Sequence, residues 1–226
     1  MSAQKTGREA LVHGLYRQPL TGEEIEARSF AAIDREAPAH TFDAAQWAIV
    51  RRMIHTTADF SLARDVRFSE SAIERGCAAL RRGAPLYVDS NMIRAGLSLA
   101  RLKRVCAAYA GEAIHCHVAD TDVASAAKES GLPRSLHAVR KAQAMLDGGI
   151  AVFGNAPVGL LELNRMVLEA GIRPALVVAM PVGFVHVVES KDEVMTLDVP
   201  YIALAGRRGG SPLAVSVVHA LCGLAA

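Results

Sequence analysis

Apolar residues in this chain follow two patterns. Five short, nearly continuous runs, at residues 85–88, 113–118, 150–153, 175–180 and 201–204, read as buried strands. Continuity rather than alternation suits strands covered on both faces. Between and before them the apolar positions recur every three or four residues, the spacing of amphipathic helices. Ile25, Ser29, Ala32 and Ile33 share one such face behind a Thr21–Glu24 capping box. Asp43 can cap a helix whose stripe is Trp47, Val50 and Ile54, and Ser71–Glu74 is a second capping box ahead of Ile73, Cys77 and Leu80. Val123 and Ala127 mark a helix stopped at Gly131. Leu136, Val139, Gln143 and Leu146 mark the next, with Ser135 as the expected N-cap and Gly148-Gly149 as its end. Pro157 and Pro212 stand where proline is tolerated in a first helical turn.

Strands alternating with helices predict an α/β protein with a mainly parallel sheet and helices on both faces. Ligands of such sheets gather beyond the carboxyl ends of the strands. The segments that follow the runs are polar or glycine-rich: Asp89-Ser90-Asn91, Asp120-Thr121-Asp122, Gly154-Asn155-Ala156-Pro157, Pro181-Val182-Gly183-Phe184 and Gly206-Arg207-Arg208-Gly209-Gly210-Ser211. No linker-like tract divides the 226 residues, so one domain is expected.

Composition narrows the function classes. Hydrophobic residues make up 51% of the chain, yet no run is long enough to span a bilayer and no signal-peptide core opens the sequence; a soluble, cytoplasmic protein is expected. A net charge of +2 gives nucleic acid no footprint. Cys77, Cys106, Cys116 and Cys222 lack metal or redox spacing and read as reduced residues. Of the 25 basic residues, 20 are arginine, a bias that suits a polycarboxylate ligand through the planar guanidinium fork and that a GC-rich genome also produces.

Several residues stand out as candidate chemistry. His55 falls near the end of the helix begun at Asp43, where the helix dipole favours an imidazolium and Arg51, Arg52 and Asp59 add charge; it reads as an acid or as a solvated capping histidine. Gly154–Gly159 has the glycine separation of a P-loop without its Lys-Ser/Thr, and no G-x-G-x-x-G follows a strand, so a nucleotide site is disfavoured. A strand-to-helix turn there can still hold an anionic group on backbone N–H donors or be a plain connection. Arg207-Arg208 with two glycines and a helix start reads as a carboxylate or phosphate site or as a mobile loop, and Arg134-Ser135 offers a similar anion site. Ser29 is a ligand contact or a satisfied helix serine. In His115-Cys116-His117 the two imidazoles share a strand face and the thiol opposes them, so the three cannot hold one metal ion. His186 faces a cleft or caps a turn.

Together Arg28-Ser29-Phe30, the segment 51–60, Arg134-Ser135, Gly154–Pro157, Pro181–Phe184, Glu189-Ser190-Lys191 and Arg207–Ser211 resemble the precorrin-8X/cobalt-precorrin-8 methylmutase family of corrin biosynthesis, from about Glu24 to the C-terminus. The resemblance implies a three-layer α/β sandwich, a homodimer, and an isomerase that moves a methyl group from C-11 to C-12 of the macrocycle with no added cofactor and no metal. It implies His55 as the catalytic residue and Ser29, Arg52, Arg134 and Asn155 as substrate-binding positions. Segment 54–60 looks closer to the cobalt-bearing branch. The chain departs from the family pattern at Val158-Gly159, where Thr-Ala is usual, at His186-Val187 and at Ala205, and residues 1–23 have no placed counterpart. A non-catalytic corrinoid carrier of the same fold is the alternative that those departures suggest.

Overall fold

The computed structural model describes residues 9–226, which form two compact units, one up to Ala37 and the other Pro38–Ala226. The first carries α1 (Val12–Arg17) and α2 (Gly22–Glu36). The expected capping box closes α2: the Glu24 N–H donates to the Thr21 hydroxyl at 3.2 Å, and the Thr21 N–H donates to the Glu24 carboxylate at 2.7 Å. The apolar face of α2 buries Ile33 but leaves Ile25 at 49% exposure.

In the second unit the elements run α3 (Ala44–Thr57), a 3-10 turn (Phe60–Asp65), β1 (Val66–Phe68), α4 (Ala72–Arg81), β2 (Leu86–Val88), α5 (Asn91–Gly96), α6 (Leu99–Val105), β3 (Ile114–His115), α7 (Thr121–Ser130), α8 (Arg134–Lys141), α9 (Gln143–Leu146), β4 (Ile150–Phe153), α10 (Pro157–Glu169), β5 (Leu176–Ala179), α11 (Val187–Thr196), β6 (Tyr201–Leu204) and α12 (Ser211–Ala225). The six strands lie in the order β1-β6-β5-β4-β2-β3. All five expected strands pair in parallel, and β1 adds an antiparallel edge on β6, with Val66 opposite Leu204. Three residues give too little pattern for β1 to be read from sequence, and the run at 113–118 yields only a two-residue strand.

Side chains alternate across the sheet. Tyr87, Ala151, Phe153, Val177, Ala179 and Ala203 face one core with Val139 of α8, Leu160 and Leu163 of α10 and Val194 of α11. On the other side α12 packs against α3, α4, α5, α6, β4 and β5. That packing is close: a Cβ on Gly76 of α4 would lie 2.8 Å from the Leu176 Cδ2. The result is the expected mainly parallel sheet between two helical layers, each buried Leu, Val or Phe stabilising it by about 1.5–3 kcal/mol.

Two helix starts differ from expectation. Ser71 precedes α4 with φ −102° and ψ 10°, outside the extended conformation of a capping residue, and its hydroxyl makes no cap hydrogen bond. α8 begins at Arg134 behind Pro133, which places Ser135 inside the first turn, not at the cap. Among the described residues no helix is long and apolar enough to cross a membrane.

Candidate active site at the carboxyl edge of the sheet

α3 is fixed at both ends. The Asp43 carboxylate accepts the N–H groups of Ala45 and Gln46, both at 2.8 Å, and the Gln46 side chain returns to the Asp43 N–H at 3.3 Å. Ile49, Val50, Met53 and Ile54 are buried beneath it. At its far end Thr56 and Thr57 hydroxyls donate to the carbonyls of Arg52 (2.9 Å) and Met53 (3.1 Å). Ala58 then adopts a left-handed conformation (φ 53°), and its N–H donates to the Ile54 carbonyl at 2.7 Å. His55 sits exposed in this last turn, three residues on from Arg52, where the helix dipole favours a cation. Arg52 and Thr56 line a cavity of about 330 Å³ with Met92, Ser211, Val215 and His219.

The Gly154–Pro157 turn lies against Ser211, one of the residues that line this cavity. Its N–H donors are already taken, because the Asp89 carboxylate at the end of β2 accepts from Gly154 (3.1 Å), Asn155 (2.8 Å) and Ala156 (2.6 Å). The anion expected from a ligand is thus an internal one. Asp89 is 2% exposed, and burial raises its pKa against the opposing pull of those three donors. Ser90 bonds Ser211 at 3.0 Å, and a Cβ on Gly154 would sit 2.8 Å from the Ser211 Cα, so β2, β4 and α12 meet at one point. Asn155 stays exposed above it. The start of α8 packs on that of α10, where an added Cβ on Gly159 would lie 3.4 Å from the Ser135 carbonyl, and Arg134 lines a separate cavity with Ala124, Ser125, Ala127 and Lys128.

The Gly206–Ser211 segment is a tied structure and not a loose loop. Lys191, 0% exposed, donates to the carbonyls of Gly206 (2.9 Å) and Arg208 (2.7 Å). Arg208 donates to the Asp59 carboxylate (2.7 Å), the Ser61 hydroxyl (2.9 Å) and the Asp65 carboxylate. Asp59 is held below the ordinary carboxylate range by the Ser61 hydroxyl and N–H, then by Arg208. Of the two arginines expected to share an anion, Arg208 is committed to the protein's own carboxylates. Arg207 is exposed, its guanidinium 5.5 Å from the centre of the Phe184 ring, which is itself 84% exposed.

The remaining candidates have their own local settings. Ser29 belongs to the first unit, where its hydroxyl donates to the Ile25 carbonyl at 2.8 Å within α2. His115 and His117 lie on one side with ring centres 6.2 Å apart, while Cys116 is buried; burial, then His117 and Arg94, lowers the His115 pKa. His117 pairs with Asp120 at 2.9 Å. His186 precedes α11 in a left-handed conformation (φ 60°) and makes no side-chain cap. Sequence reasoning missed Asp89 and Lys191 as internal ions. A signal existed for Lys191, which shares helical spacing with the buried Val187 and Val194.

An α/β protein with arginines, an exposed imidazole and a fixed turn gathered beyond the carboxyl ends of its parallel strands has the layout of an enzyme for an anionic small molecule. The precorrin-8X methylmutase profile matches residues 24–224. The cobalt-precorrin-8 methylmutases of Leptospira interrogans and Priestia megaterium are each 40% identical, over 88% and 92% of this chain and 92% and 91% of their own. A solved precorrin-8X methylmutase from Thermus thermophilus superposes with a TM-score of 0.82 at 43% identity, covering 90% of this chain and 96% of that one. The chain therefore belongs to the precorrin-8X methylmutase family, isomerases of cobalamin biosynthesis that act on precorrin-8X or cobalt-precorrin-8.

Proposed function

We propose that His55 is the acid of this methylmutase. A proton or strong hydrogen bond from its imidazolium polarises the conjugated macrocycle while a methyl group moves from C-11 to C-12. The shift is intramolecular, so the site has to stabilise charge redistributed in the ring, and one donor placed for the transition state suffices. The observation that carries this reading is the exposed position of His55 in the last turn of α3, between Arg52 and Thr56, which both line the cavity. Arg52, Arg134 and Asn155 would bind the peripheral carboxylates and amide-accepting groups of the substrate, as would Ser29. The cavity is small for a tetrapyrrole and suits one edge of it.

A cobalt-bearing substrate is supported by the two 40%-identical relatives that carry that name, and by the segment after His55. The chain would act as one methylmutase domain, with residues 1–23 as an extension. A homodimer is supported by apolar side chains left open on the first unit, Leu11 at 90% and Tyr16 at 71% exposure. The four free cysteines suit the cytoplasm. Replacing His55 with alanine is expected to abolish turnover, followed by the absorbance change on methyl migration, while the product still binds. Wild-type turnover in His55→Ala would sink the assignment, and binding without turnover by the unaltered protein would point instead to the corrinoid carrier suggested by the changes at Val158, Gly159 and His186.

A further inference from the structure

Lys191 lies on the face of α11 that buries Val187 and Val194. An ammonium removed from water persists only where acceptors replace its hydration. Here both acceptors are main-chain carbonyls of one loop, those of Gly206 and Arg208. Burial lowers the Lys191 pKa to about 8, opposed by Asp192 and Asp65, so the group still carries its charge at neutral pH. The loop it holds has no slack. A Cβ on Gly209 would collide with the Met180 carbonyl oxygen, the Gly210 N–H donates to that carbonyl at 2.8 Å, and the Gly183 N–H donates to the Arg207 carbonyl at 3.2 Å. From this fixed backbone Arg208 reaches Asp59, and Asp59 caps the 3-10 turn directly behind the Ala58 bend that ends α3.

We infer that Lys191 is a positioning residue of the methylmutase reaction: it fixes the 206–208 backbone, and through the Arg208–Asp59 ion pair it fixes the end of α3 that carries His55. The inference rests on the reading of His55 as the acid. Lys191 touches no reacting atom. It acts by keeping Arg208 on Asp59, and hence the imidazole at a constant height over the substrate edge. Displacement of a catalytic group by about 1 Å can cost on the order of a hundredfold in rate.

The test is a kinetic double-mutant cycle on the full chain, with kcat, KM and product affinity measured for Lys191→Met, Arg208→Gln and the pair. Each single change is expected to lower kcat roughly tenfold or more with product affinity changed less than about threefold, and the pair to be no worse than about twofold below the weaker single. Additive losses, a kcat within twofold of wild type, or a loss confined to product affinity would overturn the inference. If Lys191→Met does not fold, the same cycle is run with Lys191→Gln, which keeps an N–H donor without the charge, and Arg208→Gln, and the same non-additivity is required. His55→Ala, assayed alongside, separates the two claims. An inactive His55→Ala beside a fully active Lys191→Met removes the positioning role alone, whereas an active His55→Ala removes the reading beneath it.

Discussion

Two strand-to-helix connections lie side by side at the carboxyl edge of the sheet, and they are locked by ions of opposite sign. The turn from β4 to α10 points N–H groups inward, and a buried carboxylate, Asp89, fills them. The segment from β6 to α12 points carbonyls inward, and a buried ammonium, Lys191, fills those. Both sequences look like sites for an external ligand, with glycine, a polar residue and a helix-opening proline. In both, the fold supplies its own counterion and leaves one side chain, Asn155 or Arg207, on the outside. Polarity in a loop after a parallel strand therefore does not by itself distinguish groups offered to substrate from groups that hold the loop still.

The two locks should fail unequally. Asp89→Ala strands three backbone donors, and genuinely unsatisfied buried N–H groups are rarer and costlier than carbonyls with a spare lone pair. A loss of about 3 kcal/mol or more is expected in urea unfolding, with Asp89→Asn, which keeps an acceptor, losing less than half of that. Equal losses in the two variants would show that the carboxylate acts through its charge and not as an acceptor. Lys191→Met should cost less, about 1–2 kcal/mol near neutral pH, because the change also removes the expense of burying a charge.

The pH dependence sharpens the contrast. The Lys191 pKa lies near 8 in the folded chain against an ordinary 10.5, so between those values the unfolded chain holds more protons at this site. Stability contributed there rises with pH across that window, and the wild type should gain on Lys191→Met from pH 8 upward. Tyr109 and Cys222, whose pKa values burial raises, pull the other way in both proteins and cancel in the difference. A flat difference curve would remove the buried-ammonium account. The smallest effects belong to the backbone on either side. Ala58→Gly relieves a left-handed alanine, and Gly159→Ala has room against Phe153, Ser135 and Val139 at 3.4 Å. Each should raise the unfolding free energy by up to about 1 kcal/mol.

The fold was largely legible because its signals are local. Continuous apolar runs marked all five parallel strands, and Asp43, Thr21, Gly131, Pro157 and Pro212 marked helix ends by chemistry that acts within four residues. The Ser71 and Ser135 caps failed for the same reason in reverse, since backbone geometry, not residue type, decides whether a hydroxyl reaches an N–H. The antiparallel β1 was invisible because its pairing with β6 spans more than a hundred residues and three positions carry no period.

The sequence alone determined the layered α/β class, the placement of His55 at a helix end, and the family to which the ordered motifs belong. These follow from hydrophobic period, capping chemistry and motif spacing along one chain. Only the tertiary structure decided which charges are spent internally. Asp89 lies 65 residues from Gly154, and Arg208 lies 149 from Asp59. Whether a charge meets water, a backbone group or a counter-ion depends on what folding brings within 3 Å of it, and that distance is not written in the neighbouring residues.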